Sequence, residues 1–275
     1  MSEIELCVQS DVGRVRKQNE DYFGLCSRTR LLTNGERFCG TLAPVDLPAL
    51  LLVADGVGGL PGGSDASRTA VSAVAGAFLD GNFSSGSRMF LRSAIAHAHS
   101  EVQTLGDRFP NCSTTLIAVL MTDLGLDVAH VGDSRVYLYR GGRILQLTSD
   151  HTLVQKMVEL GQISPREASS RRDKNVLVRA VGYGSEANED LLHIELCRDD
   201  VLVLCTDGLH GYFEDSELCS LIHDAPDLGQ LSDDLVRLAK ERGGSDNITL
   251  ALARFSGSGF PIREDQPIQA RALEE

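Results

Sequence analysis

The sequence contains no tryptophan, and only 5% of its 275 residues are aromatic. Basic residues are also few: 26 Lys and Arg stand against 39 Asp and Glu, which gives a formal net charge of −13 at pH 7. A protein that binds nucleic acid normally presents a basic face, so this balance argues against that class of partner. It is compatible with a protein that gathers its acidic side chains around cations.

Long apolar runs are missing too. No stretch approaches the ~20 apolar residues of a membrane-spanning helix, and the N-terminal MSEIELCVQSDVG lacks the basic and apolar regions of a secretory signal. We therefore expect a cytoplasmic protein without a membrane span. The seven cysteines form no Cys-x-x-Cys pair, which argues against a zinc site and, without a signal peptide, predicts reduced thiols.

Short runs rich in Val, Leu and Ile recur along the chain and predict strands that end in turn residues. They include LLVAD, STTLIAVLM, DVAHVG, RVYLYR, DVLVLCTDG and NITLALARF. Helical periodicity is clear in SDASRTAVSAVAGAFLDG, with Ser64 or Asp65 as the expected N-cap, and in SRMFLRSAIAHAHSEVQTLG. Runs of strands separated from runs of helices favour an α+β fold. We predict a central β-sandwich of two antiparallel sheets flanked by α-helices.

The chain shows no internal repeat and no Pro- or Ser-rich linker, so a single domain is expected over residues 1–255. Residues 256–275 are polar and rich in turn formers, which predicts a mobile C-terminal tail. Residues 26–49 are irregular in pattern and long enough for an extra hairpin or a surface loop.

Six carboxylates stand where a strand-like run meets a loop, a position in which folds commonly place functional side chains. They are Glu20, Asp21, Asp55, Asp133, Asp207 and Asp246. If these strand ends converge, the cluster repels itself unless divalent cations are bound, and Mg²⁺ or Mn²⁺ prefer carboxylate, carbonyl and water ligands. Each residue alone has a plainer explanation, because Asp-Gly is a common turn. Their joint occurrence favours a metal centre.

These acids lie in a series of motifs that resembles the metal-dependent protein Ser/Thr phosphatases of type 2C, in their bacterial form. The motifs are SDVGRVRKQNEDYFG, LLVADGVGG, AHVGDSRVYLYRGGRILQLTSDHT, VLVLCTDGLHGYFED and GGSDNITLALA. The spacer Leu153–Ala168 is also similar to that family's flap region. The match runs in order from about Cys7 to Phe255, and five linked motifs in register make it specific.

The resemblance implies a binuclear Mg²⁺ or Mn²⁺ centre at one end of the sandwich. Asp55 would bridge the two cations, and the backbone carbonyl of Gly56 would ligate one of them. Asp207 and Asp246 would hold the first cation. Glu20 would lie on the second, directly or through water.

Three further roles follow from the same resemblance. Asp21 would orient metal-bound water, Asp133 together with Asp207 matches the position of a third, weaker metal, and Arg16 matches the arginine that binds the substrate phosphate. The implied reaction is hydrolysis of phosphoserine or phosphothreonine by metal-activated water. We expect a monomer that acts on phosphorylated proteins and opposes a bacterial Ser/Thr kinase. A non-catalytic regulatory module of the same fold and an enzyme for small phosphate esters are the alternatives.

Two features depart from the pattern or extend it. Some relatives carry a histidine directly after Ala-Asp-Gly and assign it a general-acid role, whereas this chain has Val57. His151 and His210 are candidates for the missing proton donor by position, although a lone histidine is usually structural. The flap run PREASSRRDKNVLVR is basic in an acidic chain, which predicts either attraction of acidic phosphorylated segments or simply a solvated loop.

Overall fold

The computed structural model of the chain describes residues 2–28, 30–33, 37–57, 61–81, 86–122, 125–262 and 267–272. Strands β1 to β13 are Ser2–Asp11, Asp21–Cys26, Leu31–Thr33, Phe38–Leu42, Ala49–Asp55, Leu116–Thr122, Gly125–Val131, Arg135–Arg140, Arg143–Gln146, Asp190–Ile194, Val201–Cys205, Ile248–Gly257 and Ala270–Ala272. Helices α1 to α7 are Gly63–Leu79, Ser87–Thr104, Leu153–Glu159, Pro165–Ser170, Asp207–His210, Asp215–Asp224 and Leu228–Glu241.

The strands form two sheets that pack face to face. The first sheet has the strand order β4-β1-β12-β11-β8-β9, and the second has the order β13-β10-β7-β6-β5-β2-β3. Neighbouring strands pair antiparallel in both sheets, and the longest pairing joins β1 to β12 from Ser2 opposite Gly257 to Asp11 opposite Ile248. The predicted α+β sandwich is confirmed.

Strand β5 is apolar at nearly every position, without the usual alternation of apolar and polar residues, because both of its faces are buried. Leu51 and Val53 face the core between the sheets, whereas Leu50 and Leu52 face the core under α1 and α2. A strand buried on both faces reads as a continuous apolar run. On the other side, α6 and α7 cover the first sheet over a third apolar core. The order of layers is therefore helix, sheet, sheet, helix.

Helix α1 begins earlier than the sequence suggests. Its N-cap is Gly62, with φ of +97°, and neither Ser64 nor Asp65 caps it. The expected cap was wrong because the backbone at Gly62 packs against Phe109, whose side chain would lie 2.7 Å from an added Cβ. Only glycine fits that left-handed, crowded position. Asp65 lies in the first turn instead, where its charge suits the helix dipole.

The described residues between 26 and 49 add a strand to the edge of each sheet, and the predicted extra hairpin is present as β2 and β3. Strand β3 pairs with β2 at the edge of the second sheet, and β4 pairs with β1 at the edge of the first. This register places Cys7 directly opposite Cys39, and the two are joined as a disulfide. The expectation that all cysteines are reduced thiols was therefore wrong for this pair, because the linear spacing of cysteines does not show which ones meet across strands.

The described part of the C-terminal segment is in contact with the domain. Strand β13 pairs with the end of β10, and Phe260 and Ile268 pack against the core between the sheets. Residues 263–266 and 273–275 of the predicted tail lie outside the described residues. Mobility of the segment stays a prediction. In the part of the chain that the structure describes, no helix is long and apolar enough to cross a membrane.

Candidate active site

Four of the six predicted carboxylates meet in one cavity at an end of the sandwich. Asp55 ends β5, Asp133 lies between β7 and β8, Asp207 begins α5 directly after β11, and Asp246 precedes β12. They line a cavity of about 150 Å³. Its other lining residues are Arg16, Gly56, Val57, Thr115, Asn175 and Leu177. The convergence that the sequence pattern predicted is therefore present for these four.

Hydrogen bonds from Thr114 and Thr115 fix the backbone N–H and carbonyl groups of Asp55. Its N–H donates to the Thr115 hydroxyl at 2.9 Å, and its carbonyl accepts from the Thr114 hydroxyl and the Thr115 N–H, both at 2.8 Å. An added Cβ at the next residue, Gly56, would lie 2.3 Å from the carbonyl oxygen of Gly63. Only a glycine allows this close passage of backbones. The strand thus delivers one rigid carboxylate to the cavity.

Glu20 and Asp21 adjoin the cavity from the loop that leads into β2. The Glu20 carboxylate lies 3.8 Å from the Arg16 guanidinium, which also donates to Asp246 at 2.8 Å. Asp21 pairs with Asp55 in the register of β2 and β5 and is only 1% exposed. The Thr206 hydroxyl donates to the Asp21 carboxylate at 2.9 Å. Asp21 therefore lies behind Asp55 instead of on the cavity wall.

Sequence reasoning missed Asn247, which fastens the N-terminal loop to the site. Its side-chain oxygen accepts from the Glu20 N–H at 2.7 Å, and its side-chain nitrogen donates to the carbonyls of Val12 and Gln18 at 3.0 and 2.9 Å. The Asn247 side chain is only 3% exposed, and both its oxygen and its nitrogen have hydrogen-bond partners. Its position directly after Asp246 was the only signal, and in the sequence it looks like an ordinary strand start.

Burial dominates the electrostatics of the acidic cavity. It raises the pKa of Asp207 to about 6, with the Asp246 charge adding to the effect, and the pKa of Asp133 to about 8, with Asp207 adding. Burial also raises the pKa of Asp21 to about 7 and that of Asp55 well above its ordinary value. Positive charge in the cavity would favour the joint ionisation of these carboxyls at neutral pH.

His210 and His151, the histidines considered as proton donors, are structural. His210 Nε2 donates to the backbone carbonyl of Asp133 at 3.0 Å, and burial lowers the His210 pKa to about 3. The ring nitrogen Nδ1 of His151 accepts from the backbone N–H of Gly132 at 3.1 Å. The backbone N–H of His151 donates to the Gly132 carbonyl at 2.8 Å. Both therefore position the loop that carries Asp133.

A second group of possible metal ligands lies outside the cavity. His130, His151 and Asp190 bring their ligand atoms within 4.8 Å of one another. Because His151 Nδ1 accepts from Gly132, a neutral ring carries its proton on Nε2, which faces Asp190 at 3.1 Å. Arg179 also donates to Asp190, at 2.8 Å. A protonated Nε2 and an already paired carboxylate are poor ligands, so His151 and Asp190 form a polar pair that connects the segment before α3 to β10.

The flap, residues 153–182, closes one side of the cavity. Its two ends pair with each other: Leu153 N–H donates to the Val176 carbonyl and Val178 N–H to the His151 carbonyl, both at 2.8 Å. Asn175 then reaches the acidic cluster, where its Nδ2 donates to Asp207 Oδ2 at 3.1 Å. The sequence offered no sign of this contact, because the two residues lie 32 positions apart.

Known proteins of similar sequence share this fold. The chain belongs to the protein phosphatase 2C family, whose sequence profile matches residues 44–253. It is similar to protein phosphatase PhpP of Streptococcus pneumoniae, with 31% identity over 259 residues that cover 92% of this chain and 98% of PhpP. The solved S. agalactiae serine/threonine phosphatase has a TM-score of 0.80 and 30% identity, with coverage of 91% of this chain and 98% of that one.

A further solved structure is that of the catalytic domain of serine threonine protein phosphatase PstP in complex with 2 manganese ions. Its TM-score is 0.74 at 28% identity, and the match covers 94% of this chain and 100% of that one. Together with the family match, these likenesses make this chain a protein Ser/Thr phosphatase of the 2C type, a metal-dependent hydrolase. The resemblance read from the five motifs is confirmed.

Proposed function

We propose that this phosphatase hydrolyses phosphoserine and phosphothreonine on proteins through a binuclear Mg²⁺ or Mn²⁺ centre in the acidic cavity, and that it opposes a Ser/Thr kinase. The observation that carries the proposal is the convergence of Asp55, Asp133, Asp207 and Asp246 beside Arg16. Carboxylate oxygens with a nearby backbone carbonyl are the ligands that hard divalent cations prefer.

The donor set fits such cations. Asp55, Asp207 and Asp246 with the Gly56 carbonyl would hold them, Glu20 would complete the second position, and Asp133 with Asp207 would offer a third, weaker site. Burial raises the pKa of Asp55 well above its ordinary value and that of Asp207 to about 6. The positive side chains nearby therefore do not balance the charge of these two carboxylates, and bound cations would. Two bound cations would supply Lewis-acid stabilisation of the transferred phosphoryl group and activation of water.

Arg16 would bind the substrate phosphate. Its side chain is 36% exposed at the cavity wall and is anchored by Asp246 at 2.8 Å. A guanidinium has five N–H donors, so this anchor leaves donors for phosphate oxygens. Arg16 thereby orients the phosphoryl group toward the carboxylates. Asp21, which lies behind Asp55 and accepts from the Thr206 hydroxyl, would orient metal-bound water once the cations hold it ionised.

The proton for the departing serine or threonine oxygen does not come from a histidine of this site. Val57 occupies the position that carries histidine in some relatives, and it lines the cavity with an apolar side chain. His151 and His210 are both engaged in holding the Asp133 loop.

Hydrolysis of a phosphothreonine peptide, measured as phosphate release with and without Mn²⁺, tests the proposal. We expect hydrolysis that needs the metal and is nearly abolished in Asp207→Asn and Asp246→Asn. The matched control is Asp233→Asn, an exposed acid on α7 paired only with Arg37 in the described structure. Full activity after complete chelation, or full activity of the Asp207→Asn protein, would rule the proposal out.

A further inference from the structure

The Asp21 carboxylate of one sheet is held by hydroxyl groups of the other. Asp21 begins β2 in the second sheet, and the Thr206 hydroxyl donates to its carboxylate at 2.9 Å from a position directly after β11 of the first sheet. Thr249, on β12 of the first sheet, also hydrogen-bonds to this carboxylate through its hydroxyl. All three side chains are buried, with at most 1% of their surface exposed. These hydrogen bonds therefore cross between the sheets at the end where the acidic cavity lies.

Asn19 begins a chain of hydrogen bonds that leads to the same carboxylate. Its Oδ1 accepts from the Asp21 backbone N–H at 3.1 Å, so its Nδ2 is the group that donates to Ser10 Oγ at 2.7 Å. Ser10 lies opposite Thr249 in the pairing of β1 with β12, and their hydroxyl oxygens are 2.7 Å apart. An ionised carboxylate only accepts, so Thr249 gives its one hydroxyl proton to Asp21 and accepts from Ser10. Every donor from Asn19 onward thus points toward Asp21.

The chain of hydrogen bonds joins the segments that carry the acidic side chains of the cavity. Thr206 directly precedes Asp207, and its hydroxyl accepts from the Thr249 N–H at 3.1 Å. On the other sheet, Asp21 pairs with Asp55 in the register of β2 and β5. A change in the separation of Thr206 and Asp21 therefore changes the separation of Asp207 and Asp55. Cations shared by carboxylates of both sheets are sensitive to that separation, because divalent cations require short and nearly constant distances to their oxygen ligands.

We propose that the hydroxyls of Thr206, Thr249 and Ser10 are positioning groups that, through Asp21, set the separation of the carboxylates that the two sheets contribute to the metal centre. This inference rests on the proposed function. Loss of a hydrogen-bond partner behind a metal ligand commonly costs about 10–100-fold in metal affinity or activity. The two threonines and Asp21 are buried behind the cavity and do not reach the substrate. Their hydrogen bonds therefore act on cation binding and on kcat and leave KM unchanged.

The experiment removes the Thr206 hydroxyl in the full chain and measures two quantities. Calorimetric titration of the metal-free protein with Mn²⁺ gives the Kd of the metal, and hydrolysis of a phosphothreonine peptide at saturating Mn²⁺ gives kcat and KM. Thr206→Val keeps the shape of the side chain without the hydroxyl, whereas Thr206→Ser keeps the hydroxyl. Ser10→Ala breaks the chain of hydrogen bonds at a half-buried position and serves as the second variant should Thr206→Val fail to fold.

Thr148→Val is the matched control. The buried Thr148 hydroxyl accepts from the Val136 N–H at 3.1 Å, just as the Thr206 hydroxyl accepts from the Thr249 N–H. Among the described residues, however, it is hydrogen-bonded to no carboxylate. Both Thr→Val variants therefore leave one backbone N–H without its partner, and only Thr206→Val also removes a donor from Asp21. Thermal denaturation checks that each variant is folded.

We expect Thr206→Val to raise the Kd for Mn²⁺ and to lower kcat, each by about tenfold, with KM unchanged. Ser10→Ala shifts both quantities in the same direction by a smaller factor, Thr206→Ser restores them, and Thr148→Val has parental values. A parental Kd and kcat in Thr206→Val or Ser10→Ala, no rescue by Thr206→Ser, or an equal loss in Thr148→Val overturns the positioning role. A parent that binds Mn²⁺ but releases no phosphate from the peptide overturns the proposed function instead, and the Kd values alone then decide on the positioning role.

Discussion

The amide of Asn175 donates to the carboxylate of Asp207 across 3.1 Å and so joins the flap to the acidic cavity. Asp207 itself begins a short helix directly after a buried strand, so it is rigid, whereas Asn175 is exposed on a long excursion between strands. The contact therefore links a segment outside the two sheets to a carboxylate fixed at the end of a buried strand. Its consequence can be measured.

We expect Asn175→Ala to lower kcat/KM for a phosphothreonine peptide by about tenfold, because a hydrogen bond to a charged group contributes about 1.5 kcal/mol. The Mn²⁺ concentration at half-maximal activity should shift in the same variant, since the orientation of Asp207 changes. Gln162→Ala, elsewhere in the flap, serves as the control. Parental kinetics and metal dependence in Asn175→Ala would show that the contact is incidental.

The buried carboxyls predict how stability depends on pH in the metal-free protein. Burial raises the pKa of Asp207 to about 6, of Asp21 to about 7 and of Asp133 to about 8, all above the ordinary value of 3.8. Between about pH 4 and pH 8 the folded state therefore binds more protons than the unfolded state, so the free energy of unfolding falls as the pH rises through this window.

Thermal denaturation of EDTA-treated protein across this pH range measures the effect. We expect Tm to fall toward pH 8 and added Mn²⁺ to restore it, with a larger gain at pH 8 than at pH 5. Asp207→Asn should flatten the metal-free profile, because one titrating group is removed. A metal-free Tm that stays constant from pH 4.5 to pH 8 would contradict the prediction.

The close packing of Gly208 predicts that adding one methyl group there abolishes most of the activity. An added Cβ would lie 1.8 Å from the carbonyl oxygen of Asn247, which belongs to the segment that carries Asp246. Gly208→Ala must therefore move either Asp207 or Asp246, and we expect near-complete loss of activity with a lower Tm. Gly76→Ala, at an exposed position of α1 where nothing lies within 4 Å of the added Cβ, is the control and should stabilise by about 0.5–1 kcal/mol. Equal behaviour of the two variants would argue against a packing constraint at Gly208.

The basic residues of the flap predict a difference between large and small substrates. Arg171 is paired with Asp173 at 2.8 Å, whereas Arg172 and Lys174 are exposed, and the charge of Lys174 acts on Asp207 of the cavity. Neutralising Arg171, Arg172 and Lys174 together should raise KM for a phosphoprotein and leave p-nitrophenyl phosphate hydrolysis unchanged, most clearly at low salt. An unchanged KM at low salt would mean that the run is a solvated loop.

Much of the fold and of the site could be predicted because its signals are local. The apolar run of β5 and the turn after it reveal Asp55, and similar strand ends reveal Asp133 and Asp207. In each case an apolar strand ends at an acidic residue, and the residue after the strand lies in a loop or turn. The local pattern gave the wrong N-cap for α1, because the cap is Gly62 and its packing against Phe109 requires a glycine.

The sequence by itself determined the kinds of chemistry available: which carboxylates end strands, which arginine precedes them, and the absence of histidine at Val57. Only the tertiary structure decided which distant groups meet. It brought Asn175 to Asp207, Asn247 to the Glu20 backbone, and Cys7 to Cys39. The reason is physical: strand and turn patterns act over a few residues, whereas register and packing between layers join residues tens to hundreds of positions apart.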